Sequence, residues 1–524
     1  MSQSNPARPD AIDSRRAWLL WLFVACVSST VHLMTLRISP PIWQDEVEVV
    51  ELGRNTLPGG DRSWSTLWSP KGRPTRILNY VGPSLQELAY RLGGGSEIGP
   101  RLSTLVGALL AGTCLLGWLL SRGCRPLAAL ICASLLLLDP VFAQSWRGAR
   151  VDCWVFGFIF MTCWLIWRAS VQLSHGSRFN LSLVSAGACL SLGGFCWASA
   201  ILLVPLVVHE VITAYRPWFT RERIAEIVPV LLILAGGTVV TSLLLLLPIW
   251  SSVGSSIGST GAAVSAASQR TSLLSAGSAI AQSLWLSPWV FGLGLLALFL
   301  SANRLLLVAF LVAALAVGMT NPYTHRALYL LPYLLLGLST VFALGTQRDK
   351  KRPVYVRTVL VAVWLFIGWS AAVTLGARTW NAWRQREVRS PDRIMEVARA
   401  TIGAQAAAVY TPYYEFYYAG RRLGWRQFRL FDYGKWDYGI LPAFLAQMQF
   451  AILRAGEADD AQLHAGLRQA GFVLARRVQA GGASSHNVGS IVNSRIGAAG
   501  FGEYLFFVRK RPAPEVLPKL RAFE

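Results

Sequence analysis

Long apolar runs separated by short polar segments fill the first 376 residues of the chain. A helix of about 20 mostly apolar residues can cross the hydrocarbon core of a bilayer. Backbone polar groups find no water there, so such runs must form helices or a closed barrel. The runs lack the alternation of barrel strands and therefore predict helices. The predicted helices are 17–36, 102–120, 127–143, 153–169, 181–196, 198–213, 226–248, 283–301, 304–319, 327–345 and 357–376.

The pattern changes after residue 377, where charges return and the apolar runs become short. Strand-like stretches then alternate with helical ones, which is typical of a small α/β domain. The strand-like stretches are 406–410, 450–453, 471–474 and 504–509, and the helical ones are 392–402 and 461–469. We therefore expect an α-helical polytopic membrane protein with about eleven transmembrane helices and a C-terminal α/β soluble domain. Its parts would be a transmembrane domain at 1–377, with a first outer loop at 37–101, and an extracytoplasmic domain at 378–524.

Two local features allow more than one interpretation. Residues 181–213 could form one long helix instead of two, although two helices agree better with the charge distribution. The aromatic stretch 410–418 could be a strand within the core, or a surface on which a carbohydrate stacks.

Basic residues are distributed unequally between the segments that join the predicted helices. If the N-terminus is cytoplasmic, the cytoplasmic segments carry most of them, for example five Lys and Arg within 348–357. Cytoplasmic loops of membrane proteins carry such an excess. With an odd number of helices, the C-terminal domain then lies outside the cytoplasm.

The net charge of +22 raises the question of a nucleic-acid partner. Much of this charge lies in the short cytoplasmic segments, where the topology already explains it. There is no basic stripe with interleaved aromatic residues, so we expect no nucleic-acid partner. All eight cysteines precede Trp197 and none has metal-site spacing, which favours small buried side chains.

Adjacent carboxylates, Asp45 and Glu46, follow the first predicted helix by a few residues. Acidic groups at a membrane boundary are costly unless they are solvated or paired. They could cap a helix N-terminus, where carboxylates are favoured, or they could serve chemistry. A carboxylate in such a position could act as a general base that takes a proton from the hydroxyl group of a substrate.

Basic residues also occur on the predicted outer face, although Lys and Arg are generally in excess in cytoplasmic loops. Arg147 and Arg150 precede Asp152, and Arg150 could either form a salt bridge with an acid or clamp an anion. Guanidinium and ammonium groups suit phosphate recognition, so an anionic lipid headgroup is a candidate ligand. The other candidate residues on this face are Lys71, Arg73, Arg76, Tyr323, His325 and Arg326.

The order of these features resembles the membrane glycosyltransferases of the GT-C class, in particular bacterial members similar to protein O-mannosyltransferases and aminoarabinose transferases. The matching segments are Asp45-Glu46, Gly99-Pro100-Arg101-Leu102-Ser103, Leu138-Asp139-Pro140, Arg147 to Asp152, and Tyr323 to Tyr329. The layout matches over the whole chain, whereas the motifs are concentrated in residues 40–155. The expected segment with a basic residue before Pro-Pro-Leu is replaced by Lys71-Gly72-Arg73-Pro74-Thr75.

The resemblance implies an inverting transfer from a polyprenyl-phosphate-linked sugar to a hydroxyl acceptor at the outer face of the bacterial cytoplasmic (inner) membrane. The acceptor would be a glycan, a lipid or a protein. Asp45 would be the general base, Asp152 a second acid near the acceptor or a metal, and Arg147, Arg150 and Arg326 would contact the donor phosphate. Glu46, Lys71, Arg73, Arg76, Tyr323 and His325 are further substrate-binding candidates. No cofactor fingerprint is present, and dependence on a divalent metal ion stays open.

Two other classes of function are consistent with a polytopic chain. A lipid or solute transporter or flippase would place polar groups near the middle of the membrane, often in paired repeats, whereas the ionisable residues here lie at helix ends. A non-catalytic receptor or assembly subunit would use the C-terminal domain for binding. Convergence of Asp45, Asp152 and Arg326 on one cavity would favour the enzyme over both.

Overall fold

The computed structural model describes residues 11–40, 42–58, 77–220, 223–254, 257–258, 281, 284, 287–301, 303–318, 324–345, 368, 376–377, 379–380, 382–411, 414–428, 445–455, 461–480 and 501–510. Within these ranges the fold consists of apolar helices followed by a small mixed sheet. The first helices are α1 (Ala11–Thr35), α2 (Gln44–Thr56), α3 (Val81–Leu92), α4 (Ile98–Ser121), α5 (Pro126–Leu138), α6 (Pro140–Arg147), α7 (Asp152–Ser174), α8 (Asn180–Cys196), α9 (Val204–Ala214) and α10 (Ile224–Leu246). The later ones are α11 (Gly294–Leu300), α12 (Arg304–Gly318), α13 (Thr324–Ala327), α14 (Leu331–Gly345), α15 (Arg386–Arg389), α16 (Pro391–Thr401), α17 (Tyr417–Arg422) and α18 (Ala461–Gln469).

Four segments in the described part of the chain are long and apolar enough to cross a membrane, and α5 with α6 forms a fifth, bent by 55°. The four are Ser14–Thr35, Ile98–Ser121, Asp152–Ser174 and Ile224–Ser251. Shorter apolar helices occupy 180–196, 198–214, 289–300, 304–318 and 328–340. The chain is thus a multi-pass membrane protein. The expected number of eleven helices is not confirmed, because the predicted helix 357–376 lies almost wholly outside the described residues.

One predicted helix, 127–143, is wrong as a single straight element. Asp139 ends α5, and its Oδ1 accepts hydrogen bonds from the backbone N–H groups of Val141 and Phe142 at 2.9 and 3.1 Å. Pro140 has no N–H to continue the helix and is favoured at the first position of a new one. The Asp-Pro pair therefore bends the span and begins α6.

Residues 181–213 form two helical segments, as the charge distribution favours. Trp197 ends α8 in an extended conformation, with φ of −158°. A 3₁₀ turn at Ala198–Leu203 then leads into α9. The alternative of one long helix is wrong.

The segment between the first two apolar spans contains two helices that the sequence pattern does not predict. α2 carries charged residues on much of its length, yet Glu46, Glu51 and Arg54 are buried. α3 packs against both α2 and the start of α4. Polar side chains on these helices are therefore buried against one another, beside apolar side chains such as Val47, Val50 and Tyr90.

The C-terminal region folds around a five-stranded sheet of order β2-β1-β3-β5-β4. β1 pairs with β2 and β3 in parallel, and β5 pairs with β3 and β4 antiparallel. Separate hydrophobic clusters cover the two faces, one including α16 and the other α18. The strands are β1 (Ala408–Tyr410), β2 (Arg426–Phe428), β3 (Phe450–Arg454), β4 (Phe472–Gln479) and β5 (Glu503–Arg509).

The aromatic stretch 410–418 is divided between core and interface. Tyr410 lies in β1 and is buried in the domain, which agrees with the strand interpretation. Tyr417 donates its hydroxyl to Glu51 over 2.8 Å, and Tyr418 stacks on Tyr90 with ring centroids 5.7 Å apart. These two tyrosines attach the small sheet domain to α2 and α3.

Candidate active site

Asp45 lies in the first turn of α2, two residues after the N-cap residue Trp43. Backbone N–H groups are unsatisfied at this end of a helix, and the helix dipole favours a negative charge there. The Asp45 side chain is 26% exposed, whereas the neighbouring Glu46 is completely buried. Of the two adjacent carboxylates, Asp45 is the one that a substrate can reach.

The turn between α6 and α7 places Arg150 between the two candidate aspartates. Its Nε donates to Oδ2 of Asp152 over 2.7 Å, and its Nη1 donates to Oδ2 of Asp45. The salt bridge expected as one alternative for Arg150 is therefore present, and it includes both acids. One guanidinium thus joins Asp45 and Asp152, which are 107 positions apart in the sequence, into a single site.

Asp152 is 1% exposed and accepts hydrogen bonds at both of its oxygens. Ser145 donates to Oδ2 over 3.0 Å beside the Arg150 bond, and Tyr329 donates to Oδ1 over 2.6 Å. A buried carboxylate needs such partners, because an unpaired charge in the interior is very costly. This environment suits Asp152 to holding Arg150 and Tyr329 in place, whereas the more exposed Asp45 suits proton transfer.

Glu46 forms a completely buried ion pair with Arg101 of α4. Two parallel bonds of 3.0 and 2.8 Å join the guanidinium to the carboxylate, and Nη1 of Arg101 donates to the carbonyl oxygen of Leu36 over 2.7 Å. Bidentate pairs of this kind fix geometry as well as adding energy. Glu46 thereby ties the first turn of α2 to the ends of α1 and α4, directly beside Asp45.

Arg147 and Arg326 belong to two helices, α6 and α13, that contact each other. Arg147 is buried at the end of α6 and donates to the Thr35 hydroxyl over 2.7 Å. Arg326 is half-buried on α13, and α13 packs against α6. Both arginines are therefore at the same end of the helix bundle as Asp45.

The remaining predicted site residues cannot be placed in the same way. Lys71, Arg73, Arg76 and Tyr323 lie outside the described residues. His325 belongs to α13, of which only the backbone is described at that position. These residues keep the status of sequence-based candidates.

The arrangement of the acids fits a metal ion poorly. Within the ranges that the structure describes, no group of three or more His, Cys, Asp or Glu side chains could hold a metal ion. Between Asp45 and Asp152, where two carboxylates could share a cation, the guanidinium of Arg150 already provides the positive charge. The described side chains around the two aspartates thus do not form a site for a shared cation.

Sequence reasoning did not select several residues that build this site. Tyr329 ends one matching segment and Ser145 comes two residues before another, but only the structure shows that they hold Asp152. Gln86 donates to the carbonyl oxygen of Ala149 over 2.8 Å, and Trp43 donates to that of Gly148 over 3.0 Å. In the sequence, the only indication of a role for Gln86 is its place as a polar residue within the amphipathic run 81–92.

Comparisons with known proteins agree with this architecture at the level of the fold. The sequence matches no protein-family model, and no curated protein matches it either. Among solved structures, ArnT from Cupriavidus metallidurans bound to undecaprenyl phosphate is similar, with a TM-score of 0.56 and 12% identity over 94% of this chain and 97% of that one. The apo form of ArnT gives a TM-score of 0.55 with 12% identity, covering 94% of this chain and 98% of that one.

A second protein is similar over a shorter part of the chain. AglB, the oligosaccharyltransferase of Archaeoglobus fulgidus, in complex with an inhibitory peptide and a dolichol-phosphate, has 15% identity and a TM-score of 0.49 over 83% of this chain and 69% of that one. ArnT is an aminoarabinose transferase, and both proteins are GT-C glycosyltransferases. At such low identity the likeness to ArnT concerns the fold alone, and it confirms the resemblance at that level. The chain therefore has the fold of a GT-C membrane glycosyltransferase, with a small C-terminal sheet.

Proposed function

We propose that this protein is an inverting glycosyltransferase that moves a sugar from a polyprenyl-phosphate-linked donor to a hydroxyl acceptor at the outer face of the membrane. The observation that carries the proposal is the joining of Asp45 and Asp152 by Arg150 in a chain with the ArnT fold. The ArnT structure was obtained with undecaprenyl phosphate, which supports a lipid phosphate as the leaving group here. We place the enzyme in the bacterial inner membrane, with the C-terminal domain outside the cytoplasm.

In the proposed reaction, Asp45 takes the proton of the acceptor hydroxyl as the acceptor oxygen forms a bond to the anomeric carbon of the sugar. The bond between that carbon and the phosphate oxygen breaks on the opposite face, and the polyprenyl phosphate leaves with the bonding electrons. Attack and departure on opposite faces invert the configuration. Proton acceptance by a positioned carboxylate contributes typically about 10²–10⁴-fold to the rate.

Positive charge near the departing phosphate would lower the barrier, because it stabilises the charge that develops there. Arg326 and Arg147 are the candidates for this role among the placed residues, with Lys71, Arg73 and Arg76 as further candidates. In the structure, Arg150 is engaged by both aspartates, so we assign it first to orienting Asp45. Asp152 then acts as the anchor of Arg150.

The transporter and assembly-subunit interpretations are less consistent with this geometry. A transporter would use polar groups near the middle of the membrane. Here Asp45 is in the first turn of α2 and Asp152 is in the first turn of α7, both at helix ends. A subunit without catalytic function would not require two distant acids to meet on one arginine.

The proposal is tested by extracting lipids from cells that lack the protein and from the same cells given wild-type protein or Asp45→Asn. If the protein consumes a lipid-linked sugar, mass spectrometry should show a polyprenyl-phosphate sugar that accumulates without the protein. Wild-type protein should remove this lipid, and Asp45→Asn should not, although it inserts into the membrane equally well. An unchanged lipid profile in all strains would contradict the transferase, and full activity of Asp45→Asn would remove Asp45 as the base.

The lipid identified in this way then serves as donor for the purified protein in nanodiscs. A membrane extract supplies the acceptor, so consumption of the donor and release of polyprenyl phosphate give kcat and KM while the acceptor is still unidentified. Binding of undecaprenyl phosphate, measured by native mass spectrometry, reports separately on the lipid site.

A further inference from the structure

The turn that carries Arg150 has an unusual backbone conformation. Ala149 has φ of 55°, which lies in the left-handed region that residues with a Cβ rarely adopt. Residues held in such conformations persist only where the surrounding structure over-determines them, and they cluster at functional sites. A backbone hydrogen bond of 3.2 Å from the N–H of Arg150 to the carbonyl oxygen of Ser145 closes the turn at the end of α6, and contacts from other segments add to it.

Side chains from other helices hold the carbonyl groups of the turn. Thr104 of α4 donates to the carbonyl oxygen of Trp146 over 2.6 Å, and Trp43 donates to that of Gly148 over 3.0 Å. The Gln86 amide of α3 donates to the carbonyl oxygen of Ala149 itself over 2.8 Å. Of these donors, Gln86 acts directly on the strained residue.

Gln86 can reach the turn because α3 lies very close to it. A Cβ at Gly82 would be 2.6 Å from the carbonyl oxygen of Cys196 and 2.9 Å from Cβ of Val151, so only glycine fits there. Gln86, one helical turn further along α3, is completely buried. Its amide is thus fixed by packing, and loss of the bond would leave the buried Ala149 carbonyl without this donor.

We propose that Gln86 is a positioning residue for the transfer reaction. Its amide holds Ala149 in the left-handed conformation, and the next residue, Arg150, is thereby directed between Asp45 and Asp152. This inference rests on the proposed function, since it assigns a role within that reaction. The reason for a kinetic effect is geometric, because a misplacement of about 1 Å in an active site can cost about 10²-fold in rate.

The test uses Gln86→Met, which keeps the length of the side chain but removes the donor. Without the hydrogen bond the turn should relax towards negative φ and move Arg150. We expect kcat to fall about tenfold, while KM for the lipid donor and the stoichiometry of undecaprenyl-phosphate binding change less than about twofold. Unchanged lipid binding distinguishes misalignment from a loss of folded protein.

A rescue experiment separates positioning from general destabilisation. Glycine adopts positive φ without steric cost, so Ala149→Gly removes the strain that Gln86 opposes. The single variant Ala149→Gly should keep near wild-type kcat, and the double variant Gln86→Met/Ala149→Gly should recover most of the lost rate. If the double variant is as slow as Gln86→Met, the inference is wrong.

The matched control is Thr162→Val on α7, which removes another hydroxyl donor, placed 3.0 Å from the carbonyl oxygen of Phe158 and 3.2 Å from that of Ala186. It should lower thermal stability but not kcat per lipid-binding site. If Gln86→Met does not fold, Gln86→Asn supplies the second variant, because it keeps the amide but shortens its reach by one methylene. It should show the same loss of kcat and the same rescue.

The outcomes separate this inference from the proposed function. If Asp45→Asn is inactive but Gln86→Met turns over at the wild-type rate, the transferase stands and the positioning role is wrong. If Thr162→Val loses kcat as strongly as Gln86→Met, the effect is general and the role is also wrong. If wild-type protein consumes no lipid-linked sugar, the proposed function itself fails.

Discussion

Tyr418 donates its hydroxyl to Oε1 of Glu46 over 3.2 Å, although the two residues are 372 positions apart. Glu46 is next to Asp45 and is paired with Arg101, so the small sheet domain contacts the residue beside the proposed base. Burial raises the pKa of Tyr418 well above its ordinary value, which keeps the hydroxyl a donor. The C-terminal domain therefore contributes a hydrogen bond to the support of the active site.

This contact is one of several between the sheet domain and the helices α2 and α3. Arg421 forms two bonds of 2.9 and 3.1 Å with Glu87, and its guanidinium lies 4.0 Å from the ring centre of Tyr90. Tyr417 donates to the buried Glu51. Charge-assisted bonds thus hold the sheet domain against α2, which carries Asp45, and against α3.

We predict that Tyr418→Phe lowers kcat about three- to tenfold without unfolding the protein. The ring can still stack on Tyr90, but Glu46 loses one donor, and hydrogen bonds to charged groups are worth about 1.5–3 kcal/mol. The measurement is donor consumption in nanodiscs, with the lipid-binding stoichiometry as the count of folded sites.

Tyr504→Phe is the matched control for this prediction. Tyr504 donates to Oε1 of Glu415 over 2.5 Å wholly within the sheet domain, so its loss should affect that domain but not the first turn of α2. Equal kcat values for the two variants would contradict a specific role of Tyr418.

The buried pair of Glu46 and Arg101 should dominate the stability of this region. Removing one partner of a buried ion pair leaves a charge without compensation and typically costs about 3–5 kcal/mol. We expect Arg101→Leu to lower the free energy of unfolding by about this amount. The double variant Glu46→Leu/Arg101→Leu should recover a large part of the lost free energy of unfolding, because well-packed apolar residues can replace such a pair. Denaturant unfolding in detergent measures the free energy of unfolding of the single and double variants. If the loss in the double variant equals the sum of the losses in the two single variants, the pairing is contradicted.

Asp45 and Asp152 should respond differently to replacement by asparagine. Asp45 is partly exposed, so Asp45→Asn should abolish transfer with little change in thermal stability. Asp152 is buried and accepts bonds from Ser145, Arg150 and Tyr329, so Asp152→Asn should reduce transfer and stability together. Thermal unfolding and donor consumption, measured on the same samples, check the difference. Equal stability losses for both variants would contradict the assigned roles.

The sequence predicted the parts of this site that depend on local signals. Asp45, Arg150 and Asp152 stood out because charges at the ends of apolar helices are unusual, and the structure brings all three together. Most of the predicted transmembrane helices also have helical counterparts, because a run of apolar residues in a membrane leaves the backbone little alternative to a helix. The bend at Asp139 was missed, although the Asp-Pro pair was a visible signal for it.

Contacts between distant segments could not be predicted in the same way. α2 and α3 are polar for helices that pack on a membrane domain, and their buried charges are paired by Arg101 and Arg421 from elsewhere in the chain. No periodic pattern shows which tyrosine in 414–418 meets which glutamate. The left-handed conformation of Ala149 is likewise not visible in the sequence, since alanine has no local preference for it and a glycine is the usual signal for such a helix end.

The interdomain ion pair of Arg37 with Asp392 should depend on pH. The bonds of 2.8 Å from Arg37 hold the pKa of the Asp392 carboxyl below its ordinary value, so the pair stabilises the fold above a pH of about 3.9 and this stabilisation is lost as the pH falls. Asp392 is 63% exposed, so the contribution is only about 0.2–1 kcal/mol. We expect the free energy of unfolding of wild-type protein to exceed that of Asp392→Asn by this amount at pH 7, and the difference to shrink progressively as the pH falls below about 3.9. Denaturant unfolding at both pH values measures the difference, and a difference independent of pH would show that the pair does not titrate as proposed.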